Sequence, residues 1–124
     1  MVELELQEKN IRVISGYGPQ ENWTEEKQRP FFVALETEVE KANLAGKPVI
    51  IELDANAKLG KKYIPKDSHG ISPNGTILAT IVDRQGLIVG NGTNICQGTI
   101  TRTRTTRNRA ENSITNLLMY SSDL

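Results

Sequence analysis

At 124 residues the chain has room for one domain, with a modest core of one sheet and its helices. Its 15 Lys and Arg balance 15 Asp and Glu, so the molecule as a whole lacks the basic character of a dedicated nucleic-acid binder, and any such binding must rest on a local patch. Cys96 is the only cysteine, which excludes an intrachain disulfide and a thiolate zinc site. No apolar run approaches a membrane span and no basic segment opens a signal peptide, so the chain reads as soluble and intracellular, nuclear or cytoplasmic.

In chain order, Val2, Leu4 and Leu6 alternate with Glu3, Glu5 and Gln7, the pattern of a half-buried strand. Glu8-Lys9-Asn10 then turns into a second strand, Ile11 to Ser15, giving an expected hairpin. Gly16, Gly18 and Pro19 break that strand. Thr24 is placed to cap a helix that runs to about Ala45 and stops at Gly46, with Phe31, Phe32, Leu35, Val39 and Ala42 as its apolar stripe and Pro30 as an alternative start. A strand follows from Val49 to Asp54. The loop after it, with Lys58, Lys61, Lys62 and Lys66, is expected to be mobile and exposed. Thr76 to Arg84 reads as a short helix begun near Asn74-Gly75, and Gly86 separates it from the apolar strand Leu87-Ile88-Val89. A strand near Gly98 to Arg102, a polar loop and a final strand around Ile114 to Tyr120 complete the chain, with no repeat and no linker dividing it. Strands interleaved with two helices predict an α/β or α+β layer arrangement in a single domain over 1–124.

The most informative stretch is Pro48-Val49-Ile50-Ile51-Glu52-Leu53-Asp54-Ala55-Asn56-Ala57. It closes an apolar strand with polar groups at every second residue, and side chains two apart on a strand share a face. A carboxylate and a carboxamide leaving a buried strand together suit two tasks of phosphodiester hydrolysis, orienting a water and holding a phosphate oxygen. The alternative is a strand ending in a solvated turn, where Asp and Asn are common.

Taken with Ile11-Arg12-Val13-Ile14-Ser15-Gly16-Tyr17-Gly18-Pro19-Gln20-Glu21 upstream, and with Ser68-His69-Gly70, Ser72-Pro73-Asn74-Gly75-Thr76-Ile77-Leu78 and Gly86-Leu87-Ile88-Val89-Gly90-Asn91-Gly92-Thr93 downstream, this stretch resembles the endonuclease/exonuclease/phosphatase superfamily of DNase-I-like fold. It is most similar to the endonuclease domains of non-LTR retrotransposons, in which a strand ending in Tyr-x-Pro precedes a strand ending in Gly-Asp-x-Asn-Ala. The resemblance spans nearly the whole chain and rests on the order of the motifs. It implies a mixed, mainly antiparallel sheet with two helices, about half of a four-layer α/β/β/α sandwich, whose second sheet face the helices leave uncovered. It also implies magnesium-dependent hydrolysis of DNA, with Asp54 orienting the attacking water, Asn56 binding the scissile phosphate, Tyr17 contacting it and Thr99 a looser match. On local grounds Tyr17 and Thr99 equally suit structural hydrogen-bonding roles.

Several positions depart from the family pattern. A metal-binding Glu precedes the Tyr strand in family members, where this chain has only the hairpin with Glu3 and Glu5. Members end in Ser-Asp-His, which Ser122-Asp123-Leu124 does not supply. The late-strand aspartate is replaced by Asn116, and the glycine before Asp54 by Leu53. An amide at 116 removes charge that would hold a divalent cation or an imidazolium partner, and Leu53 is expected to restrict the close approach glycine permits. No metal ligand set is assigned, and tight magnesium binding by this chain is not expected.

His69, the sole histidine, reads as a loop residue and is assigned no catalysis. Arg102, Arg104, Arg107 and Arg109, interleaved with threonines, form a hairpin suited to phosphate contacts that position DNA without reading its sequence, or else a solvated polar loop. The reading is a fragment or degenerate form of a retrotransposon-type endonuclease domain, cut from a larger domain and with little activity of its own. The alternative is a non-catalytic binding or structural module that keeps the fold. DNA is the implied ligand; the expected cover for the open sheet face is a second copy of the chain or a missing half-domain.

Overall fold

The computed structural model describes residues 10–20, 23–65, 70–93, 102–106, 109–113 and 116–124. It is a small α+β domain with two helices and a mixed, mainly antiparallel four-stranded sheet. Strands β1 (Arg12–Tyr17) and β2 (Val49–Asp54) are parallel neighbours joined through helix α1 (Glu25–Leu44), the crossover that parallel strands require. Helix α2 (Pro73–Gln85) leads into the short strand β3 (Leu87–Val89). After the hairpin β4 (Arg102–Thr106) and β5 (Arg109–Ser113), strand β6 (Asn116–Ser121) inserts antiparallel between β2 and β3, giving the order β1-β2-β6-β3. The expected first strand, over Val2 to Leu6, lies outside the described residues.

Helix α1 buries Phe32, Leu35, Val39 and Ala42 at helical spacing, and Gln28 extends the stripe in place of Phe31, which is only partly buried. The helix starts at Glu25, ahead of Pro30. The ring removes one N–H, yet the first turn is held by Lys27 and Gln28 N–H groups donating to the Thr24 carbonyl and by the Gln28 side chain donating to the Trp23 carbonyl at 2.7 Å. At the other end Gly46 takes φ of 67°, with its N–H donating to Asn43 and that of Lys47 to Ala42, a Schellman closure. Helix α2 begins at Pro73, just ahead of the Asn74-Gly75 start expected for it. Ser72 caps it, accepting from the Gly75 N–H at 3.1 Å, and Pro73 occupies the first helical position, where its missing N–H costs nothing.

Both helices pack on one face of the sheet, over Ile14, Val49, Ile51, Leu53, Leu87, Val89, Leu117 and Met119. The lysine loop after β2 departs from expectation. Ala55, Ala57, Leu59 and Ile64 are buried, and Lys58 exchanges hydrogen bonds with Ser72, so this segment closes the end of the core while Lys61 and Lys62 face solvent. Lys66 lies outside the described residues.

The helices are tied to each other by Glu36, which accepts from Arg84 Nε at 2.8 Å and Nη2 at 2.6 Å and from Gln85 Nε2 at 3.1 Å. The Arg84 bonds hold its carboxyl below the ordinary range, against an opposing push from burial, with Gln85 assisting. A group with a depressed folded pKa stabilises above its unfolded value and loses that contribution as pH falls through the folded value. Glu36→Gln is therefore expected to cost about 0.5–1 kcal/mol near neutral pH, since Glu36 is half-buried but its Arg84 partner is exposed and screened by solvent. Urea melts should show the gap closing below the carboxylate range, about pH 4 and under. A gap that persists undiminished in acid refutes the ionic account.

Candidate functional site

Strand register arranges the face turned away from the helices in three cross-strand rows, since paired residues on neighbouring strands share a face. Val13, Ile50, Tyr120 and Ile88 form an apolar row across all four strands. Ser15, Glu52 and Leu118 form the next. At the carboxyl end of β1 and β2, Tyr17, Asp54 and Asn116 stand side by side. Three of the residues singled out from sequence thus meet in one row, with Asp54 central. Tyr17 is 66% exposed, so its ring is free for contact with a ligand rather than used in the core.

Asp54 and Asn116 line an open cleft of about 440 Å³ together with Ser15, Glu52, Asn91 and Leu118. Asn91 had drawn no role from sequence. Its Nδ2 donates to the Asn116 carbonyl at 3.0 Å and its Oδ1 accepts from the Leu118 N–H at 2.8 Å, so one side chain copies the hydrogen bonding of a strand residue and continues the β3–β6 pairing. Its only signal was a polar residue between two glycines just past an apolar strand.

Asn56 does not share the face of Glu52 and Asp54 by strand alternation, because β2 ends at Asp54 and Asn56 adopts φ of 46° in the following loop. Its Nδ2 donates to the Gly18 carbonyl at 2.9 Å, while the Gly18 N–H donates to the Asp54 carbonyl at 2.6 Å, which ties the ends of β1 and β2 together. A side chain on Gly18 would overlap the Ala55 carbonyl, so the close approach requires glycine there. Leu53, the residue at the expected glycine position, is buried in the core.

Thr99 and Arg107 lie outside the described residues, as do His69 and Cys96. Arg102, Arg104 and Arg109 occupy strand positions in the β4–β5 hairpin, where Arg102 pairs with Ser113, Arg104 with Glu111 and Arg109 with Thr106.

Among the described residues no three His, Cys, Asp or Glu side chains converge on a metal site. Glu52 and Asp54 are two carboxylates on one face of β2, fewer than the several oxygen ligands a magnesium ion takes. No helix among the described residues is long and apolar enough to cross a membrane. No family model matches the sequence, and no curated protein matches it.

Proposed function

We propose that this chain is a fragment or degenerate form of a magnesium-dependent DNA endonuclease domain of the DNase-I-like type, retaining the phosphodiester-facing edge of the sheet without effective turnover by itself. The observation that carries the reading is the row Tyr17–Asp54–Asn116 at the carboxyl end of the parallel strand pair. In that role the Tyr17 hydroxyl donates to a phosphate oxygen, Asp54 accepts a proton from a water beside it, and Asn56 keeps the two strand ends together while retaining one N–H for phosphate. A magnesium ion held by Glu52 and Asp54 would offset their repulsion of phosphate and polarise it. Asn116 weakens this arrangement, because it places an amide where the family pattern has a carboxylate.

The expected result with purified chain is weak, salt-sensitive binding of a labelled DNA duplex, followed by fluorescence anisotropy. Nicking of supercoiled DNA in magnesium should not exceed that in chelator. Robust magnesium-dependent nicking abolished by Asp54→Ala would overturn the degenerate reading, and absence of binding at low salt would overturn the DNA reading. Salt sensitivity is expected because phosphate contacts release counterions.

A second reading, a non-catalytic module, is favoured by the other end of the same face. Val13, Ile50, Ile88, Leu118 and Tyr120 are half-buried and contiguous across four strands, a patch suited to covering by a second copy of the chain. Its signature is a contribution of Leu118 to stability that grows with protein concentration.

A further inference from the structure

The carbonyl oxygens of Gly18, Pro19 and Gln20 follow one another along the loop that leaves β1, and each accepts from a side-chain amide of a different part of the fold. Asn56 Nδ2, beyond β2, donates to Gly18 at 2.9 Å. Asn74 Nδ2, in the first turn of α2, donates to Pro19 at 3.0 Å. Gln28 Nε2, on α1, donates to Gln20 at 3.2 Å and also to Trp23. Surface loops commonly satisfy such groups with water or turn bonds, and three successive captures by amides are not required for closure.

Asn74 is the telling member. It is fully buried, and its Oδ1 accepts no hydrogen bond among the described residues. Keeping a buried amide with an orphan acceptor is costly, and an aliphatic side chain would fill the same volume without that cost. The bond from its Nδ2 to Pro19 is what the residue contributes there. Among the described residues β1 lies at the sheet edge with Tyr17 as its last residue, and this loop and β2 flank the strand end.

We propose that Asn74, acting with Asn56 and Gln28, is a positioning residue for the candidate site: the three amides latch the loop over Gly18–Gln20 and thereby hold Tyr17 in register with Asp54. The inference rests on the proposed function only for what the latched loop serves. With the Pro19 and Gln20 carbonyls turned toward buried amides, these oxygens are withdrawn from the rim beside Tyr17, where their partial negative charge would oppose a phosphate.

Amide hydrogen exchange on the intact chain tests the latch without any ligand. In Asn74→Ala the Gly18 N–H, bonded to the Asp54 carbonyl, should exchange at least about tenfold faster while the Ile51 N–H in the middle of β2 is unchanged, the mark of local rather than global opening. Trp23, the sole tryptophan and part of the same loop, should become more accessible to acrylamide quenching. Asn43→Ala, which removes an amide bonded to Gln85 far from the loop, should alter neither. If Asn74→Ala does not fold, Asn56→Ala serves for the same comparison, since Asn56 is only half-buried. Unchanged Gly18 exchange, or equal acceleration of Gly18 and Ile51, overturns the proposal. In the DNA assay, a loss of affinity in Asn74→Ala that matches the loss in Tyr17→Ala supports positioning of Tyr17, whereas full affinity in Asn74→Ala overturns it. A wild-type chain that binds no DNA overturns the functional reading alone and leaves the exchange result to decide the latch.

Discussion

Gly75→Ala is expected to lower the melting temperature by about 10 °C, a loss on the order of 3 kcal/mol, large against a typical stability of about 5–15 kcal/mol. Gly75 sits in the first turn of α2, where its N–H donates to the Ser72 cap. A Cβ built there overlaps the backbone carbonyl of Lys58. That obstacle is backbone, not the flexible end of a side chain. Relief requires parting the helix from the segment that carries Ala57 and Leu59, both buried, and breaking the paired bonds between Lys58 and Ser72. Gly70→Ala is the control, because nothing lies within 4 Å of its Cβ position, and it should melt with the parent. Thermal denaturation followed by circular dichroism decides the matter; a Gly75→Ala protein melting within about 2 °C of the parent would show that the contact yields cheaply.

Met119→Ala should cost about 2–5 kcal/mol and Leu118→Ala, one residue away, about 1 kcal/mol or less in dilute solution. Met119 is wholly buried beneath the helices between Ile51 and Val89, so truncation leaves a cavity the surrounding core cannot readily close. Leu118 points to the other face, where it is half-buried and borders the cleft. If a second copy covers that face, folding and association are linked and the Leu118→Ala penalty rises with concentration. Denaturant melts at low and high micromolar protein, beside light scattering, separate the cases. A monomeric mass with concentration-independent melts would sink the homodimer, and equal penalties for the two variants would sink the two-faced sheet.

Much of the fold was legible along the chain. The stripe Phe32, Leu35, Val39 and Ala42 and the alternation of β2 record local periodicities, and the structure places α1 and β2 where those patterns predict. The misjudged elements share a cause. Pro30 offered an alternative helix start, but the helix begins at Glu25, because a missing N–H in the first turns is tolerated when side chains such as Gln28 anchor the entry. Lysines marked the loop after β2 as solvated, although Ala57, Leu59 and Ile64 between them carry the burial. For the interleaved threonines and arginines near 102–113 the sequence left a hairpin and a solvated loop open, and the pairing of β4 with β5 is the hairpin.

For the candidate site, sequence alone determined which residue types end the strands: a tyrosine closing β1, and a carboxylate closing β2 on the same face as Glu52. Period-two alternation states which residues of one strand share a face, and nothing more. Tertiary structure decided the rest. Only the sheet order brings Asn116, from far along the chain, into register with Asp54, and only the turn past β2 removes Asn56 from that face to bind the Gly18 carbonyl. Asn91 and Asn74 gained their parts in the same way. Their amides bond to backbone groups of distant segments, and such partners are selected by the joint burial of the whole core, which no local pattern encodes.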